Sequence, residues 1–424
     1  MTNMLKKITL SNGLRVLTIP QKTAEAVTVL ILVKTGSKYE TKEKNGISHF
    51  LEHLFFKGTK ARPSPIEVAE TLDQVGGIFN AFTSEEYTGY YAKVAASQFG
   101  LALDWVSDIY LNSLLKPQDV AREKGVIIEE INMRFDHPSD YVQILWSELL
   151  YGDQPAGWHI AGTKESVSAI TQKDLLDYRR TQYVANDTLV CVAGGVSASS
   201  AVEAVKRHFS RLASGQSQDK PKVVENQLAP ACLVRQKDTD QTHLCFGARS
   251  YNMFHRQRYA QDILAAILGG MMSSRLFIEV REKLGVAYYI STHIDEDTDT
   301  GCLVTQAGVD NKNVFKVVST ILKEYKKIAR VKVSPSELKK AKECLKGRTA
   351  LLLESSDAQA YFYGIQELLR KEILTTEQIY DKIDKVSAGD IQKAAADIFQ
   401  PQNLNLALVG PFEDKKPFEQ LLRP

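Results

Sequence analysis

The feature that most constrains this chain is the pentapeptide HFLEH at residues 49–53. His49 and His53 are four residues apart, which places them one turn apart on the same face of a helix. Both imidazoles can therefore reach one metal ion. Glu52 comes immediately before the second histidine and can lie beside that ion without binding it. The pentapeptide predicts a metal-binding helix.

The flanking residues delimit this helix. Ser48 is the predicted N-cap, and Gly58 is the predicted stop. Leu51, Leu54 and Phe55 form an apolar stripe that would face a core. The order His-x-x-Glu-His is the inverted form of the His-Glu-x-x-His motif of zinc peptidases. We therefore interpret this segment as the zinc helix of a metallopeptidase.

The two histidines leave a catalytic zinc site incomplete, because such a site uses three protein ligands and keeps one position for water. A third ligand is expected in the run REKGVIIEE at residues 122–130. Glu123 and Glu130 are seven residues apart and share one face of a helix. Glu129 points about 100° away from Glu130, so only one of this adjacent pair can face the site. The spacing alone does not choose the face.

Four further stretches carry a resemblance to a known family. They are residues 12–16 (NGLRV), 46–48 (GIS), 56–59 (FKGT) and 76–83 (GGIFNAFT). Together with HFLEH and the glutamate run, they make the chain resemble the inverzincin zinc peptidases, the family of pitrilysin, insulin-degrading enzyme and mitochondrial processing peptidase. The resemblance covers most of the chain, and its length fits the short bacterial processing-peptidase-like members.

The resemblance implies one Zn²⁺ per chain, held by His49, His53 and Glu130. It implies that Glu123 supports this site from behind. Glu52 would be the general base, taking a proton from a water whose pKa the metal lowers towards ~7 and passing it to the leaving amine. The competing interpretation is a helix that carries two histidines and a glutamate by coincidence.

Arg281 and Tyr288 in the second half are similar to an arginine–tyrosine pair of the family, also seven residues apart. The resemblance implies that the tyrosine hydroxyl donates a hydrogen bond to the developing oxyanion and that the arginine anchors the substrate backbone. The alternative is a surface arginine and an ordinary strand tyrosine. Tyr289 is adjacent and could be mistaken for the functional tyrosine.

Residues 78–83 (IFNAFT) are predicted to form an edge strand that binds substrate by β-addition, with Asn80, Ala81 and Phe82 in contact with the peptide. A core strand is the alternative. Other histidines have no partner at metal-binding spacing and are expected to be structural, capping or solvated: His137, His159, His243, His255 and His293.

The order of elements repeats along the chain. Each half is predicted to have two strands, two helices, two strands, several helices, a strand and a helix. This pattern indicates an α+β fold of two homologous-looking domains, each an antiparallel-rich β-sheet packed with helices, and the resemblance implies half of a clam-shell chamber. We predict a catalytic domain at 1–212, a polar linker at 213–228, and a C-terminal domain at 229–424 that carries the arginine–tyrosine element.

Composition narrows the functional class. The chain has 424 residues, of which 44% are apolar and 25% are charged, with a net charge of +2. This balance argues against nucleic acid or a membrane as the main partner. The sequence shows no apolar run near the roughly 20 residues that span a bilayer and no predicted signal peptide, so we expect a cytoplasmic protein. The five cysteines are scattered and are expected to be reduced thiols.

These observations predict a zinc endopeptidase that cleaves extended or unfolded peptides inside a closed chamber. A homodimer with active sites shared between subunits is the expected assembly, and a heterodimer with an inactive homologue is the alternative. Two other functions compete with this one: a non-catalytic chamber or scaffold subunit, and a protease dedicated to the maturation of one peptide.

Overall fold

A computed structural model of the chain describes residues 5–423 and has two compact α+β units, each built on one β-sheet. The predicted fold class is confirmed. The units are interleaved in sequence, whereas we predicted contiguous domains at 1–212 and 229–424. The first unit contains the described residues up to Ile131, together with His159–Pro221 and Ala350–Ile373. The second contains Asn132–Trp158, Lys222–Thr349 and the described residues from Leu374 onward.

The sheet of the first unit has six strands in the order β1-β2-β6-β3-β5-β4. The strands are β1 (Lys6–Thr9), β2 (Arg15–Pro20), β3 (Ala26–Val33), β4 (Ile78–Thr83), β5 (Thr88–Ala95) and β6 (Thr188–Gly194). Only the β2–β6 pair is parallel among the pairs of this sheet. β3 and β6 lie at the centre and are almost fully buried, as expected for runs of β-branched and apolar residues. β4 lies at the edge, so the core-strand alternative is wrong.

The sheet of the second unit has five strands in the order β7-β11-β8-β10-β9. They are β7 (Ala231–Gln236), β8 (Gln241–Arg249), β9 (Ala287–Glu296), β10 (Gly301–Asp310) and β11 (Leu404–Gly410). Only β7 and β11 pair in parallel within it. This sheet repeats the first one strand for strand except for β1, which confirms the predicted repetition of one fold.

Fifteen α-helices surround these sheets in the described part of the chain. In the N-terminal half they are α1 (Ile47–Phe55), α2 (Pro65–Asp73), α3 (Phe99–Asn112), α4 (Pro117–Asp136), α5 (Pro138–Tyr151), α6 (Lys164–Ala169), α7 (Gln172–Gln182) and α8 (Ala198–Phe209). In the C-terminal half they are α9 (Arg258–Leu268), α10 (Val314–Arg330), α11 (Pro335–Leu352), α12 (Ser356–Ile365), α13 (Thr376–Lys385), α14 (Ala388–Ile398) and α15 (Lys416–Leu422). None of the helices within residues 5–423 is both long and apolar enough to cross a bilayer.

Two helices pack on the sheet of the other half of the sequence. α5 packs on β8 and β11 of the second unit, where the Trp146 indole donates to the Cys302 Sγ at 3.4 Å. α12 packs on β3 and β6 of the first unit. Gly364 makes this second approach possible, because a Cβ there would lie 2.8 Å from Leu32 and 2.9 Å from the Cys191 sulfur. The unit to which α5 or α12 belongs therefore follows from the sheet that the helix packs on, not from its position in the sequence.

Candidate metal centre

The HFLEH helix begins at a cap that differs from the predicted one. Ser48 lies inside α1 and is buried, while Gly46 is the N-cap with φ +96°. Glu40 supplies the acceptor that a capping side chain would provide, because its carboxylate accepts from the backbone N–H of Gly46 at 2.7 Å and of Ser48 at 2.8 Å. The predicted N-cap at Ser48 is therefore wrong, because a carboxylate from outside the helix occupies that role.

The other end of α1 is also offset from the prediction. The helix ends at Phe55, and Phe56 is its C-cap. Gly58 follows in a turn with φ +129°, where a Cβ would lie 2.7 Å from the Pro63 carbonyl oxygen. Gly58 therefore shapes the turn that follows the helix, two residues beyond the cap.

Three side chains converge with the spacing of a metal site. The Nε2 atoms of His49 and His53 are 3.3 Å apart, and the Oε2 atom of Glu130 lies 3.7 Å and 3.4 Å from them. Tetrahedral zinc with bonds of about 2.0–2.1 Å requires ligand atoms about 3.3–3.4 Å from one another. Two imidazole nitrogens and one carboxylate oxygen are also a donor set that zinc uses in hydrolytic sites. The three residues therefore fit Zn²⁺ and leave a fourth position free for water.

The structure also shows which glutamates of residues 122–130 lie on the face of α4 that is turned to the histidines. Glu123 and Glu130 lie on the same face of α4 and both approach the histidines. Glu129 is exposed and is not part of the group of candidate ligands. The seven-residue spacing explains this arrangement, because two helical turns bring Glu123 and Glu130 into line.

Glu123 holds one ligand from behind. Its Oε1 atom accepts from the Nδ1 of His53 at 3.0 Å, and its Oε2 lies 2.9 Å from the Nζ of Lys57. Burial raises the pKa of Glu123, but its hydrogen bonds to His53 and Lys57 lower it by more, so the carboxyl group is ionised. Burial lowers the pKa of His53, but the surrounding carboxylates raise it by more. The same negative field favours a divalent cation in place of that proton.

Glu52 lies beside the three candidate ligands without joining them. Its Oε2 atom accepts a hydrogen bond of 2.5 Å from the Thr83 hydroxyl. Burial raises the pKa of Glu52 and the charge of Glu130 adds to this, while Thr83 and His53 oppose it. The net pKa is raised, which suits a carboxylate that must accept and then release a proton.

The edge strand β4 presents the residues expected to contact a peptide. It pairs with β5 on one side only, and Asn80 is exposed while Ala81 and Phe82 are partly buried. The Asn80 side-chain oxygen accepts from the Ala81 backbone N–H at 2.9 Å. The Phe82 ring packs over Gly89, where a Cβ would lie 2.2 Å from the ring.

Arg281 and Tyr288 belong to the second unit. Arg281 is exposed in a π-helix at Phe277–Lys283 and lies over the ring of Phe277, 5.0 Å from its centroid. Tyr288 lies on β9 and is 65% exposed. Tyr289 faces the other side of the strand, packs on Gly308 and lies 3.0 Å from His243. Of the two tyrosines, Tyr288 is therefore the more exposed.

Three residues at the site were not anticipated from the sequence: Glu40, Lys57 and Thr83. Lys57 and Thr83 lie inside stretches that carry the family resemblance, which was the available signal. For Glu40 the sequence offered no such signal. It lies eight residues before Ser48, whose N–H it accepts, and no local capping pattern has that spacing.

Family descriptions match two consecutive parts of the chain. Residues 15–164 match the family described as Insulinase (Peptidase family M16). Residues 169–345 match the one described as Peptidase M16 inactive domain. The first match contains the three candidate ligands and Glu52, and the second contains Arg281 and Tyr288.

Full-length relatives and solved structures agree with these matches. An uncharacterized zinc protease of Bacillus subtilis is 35% identical over 410 residues, which are 96% of this chain and 98% of that protein. An uncharacterized zinc protease of Mycobacterium leprae is 34% identical over 420 residues, covering 98% of this chain and 94% of that protein. The crystal structure of a protease from Helicobacter pylori matches with a TM-score of 0.90 and 25% identity, covering 97% of this chain and all of that one (100%).

A chain of Complex III2 from Candida albicans has the same fold, with a TM-score of 0.86 at 18% identity over 99% of this chain and 100% of that one. This fold is therefore shared by chains with different names, and the ligand residues of each chain have to be considered separately. Here the family match spans HFLEH and Glu130, and relatives about one-third identical extend over nearly the whole chain. The protein belongs to the M16 (insulinase) family of peptidases, among its short bacterial members.

Proposed function

We propose that the protein is a zinc-dependent endopeptidase that hydrolyses extended or unfolded peptides. The observation that carries this proposal is the group of His49, His53 and Glu130, whose donor atoms are spaced as zinc requires, with Glu52 beside them. Its relatives in Bacillus subtilis and Mycobacterium leprae are named zinc proteases.

Zinc bound here would supply a water with a pKa near ~7 and would polarise a peptide carbonyl. Glu52 would accept a proton from the attacking water and would then donate it to the leaving amine. Glu123 would hold His53 in the tautomer whose Nε2 lone pair is available to a metal ion. β4 binds an extended peptide along its free edge through main-chain hydrogen bonds, with Asn80, Ala81 and Phe82 in contact with it.

The proposed assembly is a homodimer in which the exposed Tyr288 and Arg281 of one chain serve the zinc site of the other. Tyr288 would donate to the developing oxyanion, and Arg281 would hold the substrate backbone. Both elements occur in this one sequence, so two identical chains would form two complete sites. Enclosure between chains would restrict substrates to peptides and unfolded segments. A heterodimer with an inactive homologue is the second assembly that this sequence allows.

A non-catalytic scaffold subunit is the competing function. The presence of three zinc-type ligands and a general base in one chain argues against it, because a scaffold has no use for them. Dedicated maturation of a single peptide is a narrower form of the same activity. We propose the cytoplasm as the compartment, since the five cysteines are free thiols and four of them are buried, which suits a reducing environment.

The test combines metal analysis with cleavage of an internally quenched peptide. We expect the wild type to bind one zinc per chain and to cleave, and Glu52→Gln to keep the zinc but lose at least 10³-fold in kcat. Glu129→Gln removes the same charge from an exposed position of α4 and serves as the matched control, with unchanged activity. Full activity in Glu52→Gln would refute the mechanism, and a wild type that binds no metal would favour the scaffold function.

A further inference from the structure

Thr83 holds one oxygen of the general base. Its hydroxyl donates to the Oε2 atom of Glu52 at 2.5 Å, in a partly buried setting. Because the side chain of threonine is stiff at χ1, this hydroxyl has few alternative positions. We propose that Thr83 is a positioning residue that fixes the orientation of the Glu52 carboxylate. This inference rests on the proposed role of Glu52 as general base.

The hydrogen bond makes the two oxygens of Glu52 unequal. Oε2 is occupied by a donor, so its lone pairs are less available to take a proton. Oε1 is then the oxygen that receives the proton from water. Without this bond the terminal torsion of Glu52 is broad, and the carboxylate would spend time in orientations in which neither oxygen faces the reacting water. The Thr83 hydroxyl therefore determines that Oε1 accepts the proton and fixes the orientation in which Oε1 meets the water.

The position of Thr83 in the fold strengthens this role. Thr83 is the last residue of β4 and pairs with Thr88 of β5. Thr88 is buried, and its hydroxyl donates to the Thr35 carbonyl oxygen at 2.9 Å. The end of β4 is therefore anchored to a rigid neighbour, which makes Thr83 a fixed support for Glu52.

The same strand is the proposed docking edge for a peptide. Side chains alternate along a strand, so Thr83 points to the opposite side from Phe82. Main-chain hydrogen bonds to the free edge would be made without the Thr83 hydroxyl. Removing that hydroxyl should therefore affect the chemical step more than the binding of substrate. This separation of kcat from KM distinguishes a positioning role from a general structural one.

The experiment compares Thr83→Val with Thr83→Ser in the full-length protein. Valine keeps the shape of threonine and removes the donor, while serine keeps the donor. We expect Thr83→Val to lower kcat about 10- to 100-fold, with KM changed less than about twofold and with bound zinc unchanged. We expect Thr83→Ser to recover most of the activity. Thr181→Val, on the exposed surface of α7, is the matched control and should behave as wild type.

A double-mutant cycle tests whether Thr83 acts through Glu52. Glu52→Asp shortens the carboxylate by one methylene, so the Thr83 hydroxyl no longer reaches it. In that background, Thr83→Val should cost less than about twofold in kcat. An equal loss in both backgrounds, or wild-type kcat for Thr83→Val, would overturn the inference. If Glu52→Gln itself stays fully active, the proposed function fails instead, so the two failures are distinguishable.

Discussion

The Nδ1 atom of His53 lies 3.0 Å from a Glu123 carboxylate oxygen, and the other oxygen of Glu123 lies 2.9 Å from the Lys57 ammonium. Because Glu123 is ionised, it accepts a hydrogen bond from the Nδ1–H group of His53. The opposite nitrogen of the ring then carries the lone pair that faces the candidate metal position. One residue outside the ligand set thus determines which tautomer of His53 is present.

Replacement of Glu123 should weaken metal binding without abolishing it. Glu123→Gln keeps the shape of the side chain but removes the charge, and its amide can present a donor instead of an acceptor to His53. We expect zinc affinity to fall about 10- to 100-fold, measured by competition with a chromophoric chelator. Glu129→Gln is the control on the same helix and should leave the affinity unchanged. Equal affinities for both variants would mean that Glu123 does not orient His53.

Zinc should stabilise the fold through Glu130. A ligand that binds only the folded state, present at 100 times its Kd, stabilises by about 2.7 kcal/mol. We expect that gain on adding zinc to metal-free wild type in a denaturant titration. Glu130→Ala removes one of the three ligands and should lose most of it, while Glu129→Ala should keep it. A gain that survives in Glu130→Ala would show that stabilising zinc binds elsewhere.

Glu40 should govern the stability of the start of α1. Its carboxylate accepts from the N–H groups of Gly46 and Ser48 and from the Asn45 side chain at 3.0 Å. Glu40→Ala leaves these buried donors without that acceptor and should cost about 1–3 kcal/mol in unfolding free energy of the metal-free protein. Glu40→Gln keeps one acceptor and should cost less. Equal losses in the two variants would exclude capping as the cause.

Glu40 also predicts a pH dependence. Burial raises its pKa to about 7, although its hydrogen bonds oppose the rise. The folded state then holds this proton more tightly than the unfolded chain, so its contribution to stability is complete below about pH 4.3 and is lost as the pH rises through 7. Glutamine does not titrate. We therefore expect the unfolding free energy of wild type, relative to Glu40→Gln, to decline between pH 5 and pH 8; a constant difference would contradict this.

Substitution of the two adjacent tyrosines should affect different properties: kcat for Tyr288 and stability for Tyr289. Tyr288→Phe removes the hydroxyl of an exposed side chain and is expected to lower kcat about 100-fold with little loss of stability. Tyr289→Phe removes a partner of His243 and should reduce stability by about 1 kcal/mol while leaving kcat within a fewfold. Reversal of these effects would assign the catalytic role to Tyr289.

A mixing experiment tests whether chains share sites. Glu52→Gln and Tyr288→Phe chains are each nearly inactive by this proposal. Combined under conditions of proven subunit exchange, they should recover activity, because one hybrid site would contain both an intact Glu52 and an intact Tyr288. No recovery despite exchange would contradict sites shared between subunits.

The spacing within HFLEH predicted the helix that carries the two histidines, and the order of elements predicted the repeated fold. The strand at 78–83 was also predicted, but its place at the edge of the sheet had a core strand as its alternative. The same spacing could not choose between Glu129 and Glu130, since that depends on how α4 is rotated against α1. The cap of α1 was predicted wrongly because its acceptor, Glu40, comes from outside the helix. The interleaving of the two units could not be predicted from local sequence patterns. Such patterns identify an amphipathic helix but do not show which sheet it covers.

The late position of α12 in the sequence has a consequence for the chain while it is being translated. Leu32 and Thr28 lie on the face of β3 that α12 covers, where the Thr28 and Ser356 hydroxyls are 2.8 Å apart. During translation, the three candidate metal ligands emerge more than two hundred positions before this helix does. Until α12 is made, that face of β3 has no helix to cover it. Uncovered apolar surface makes an incompletely folded chain prone to aggregate. A fragment that stops at residue 212 would therefore lack the helix that covers this face of β3 and β6.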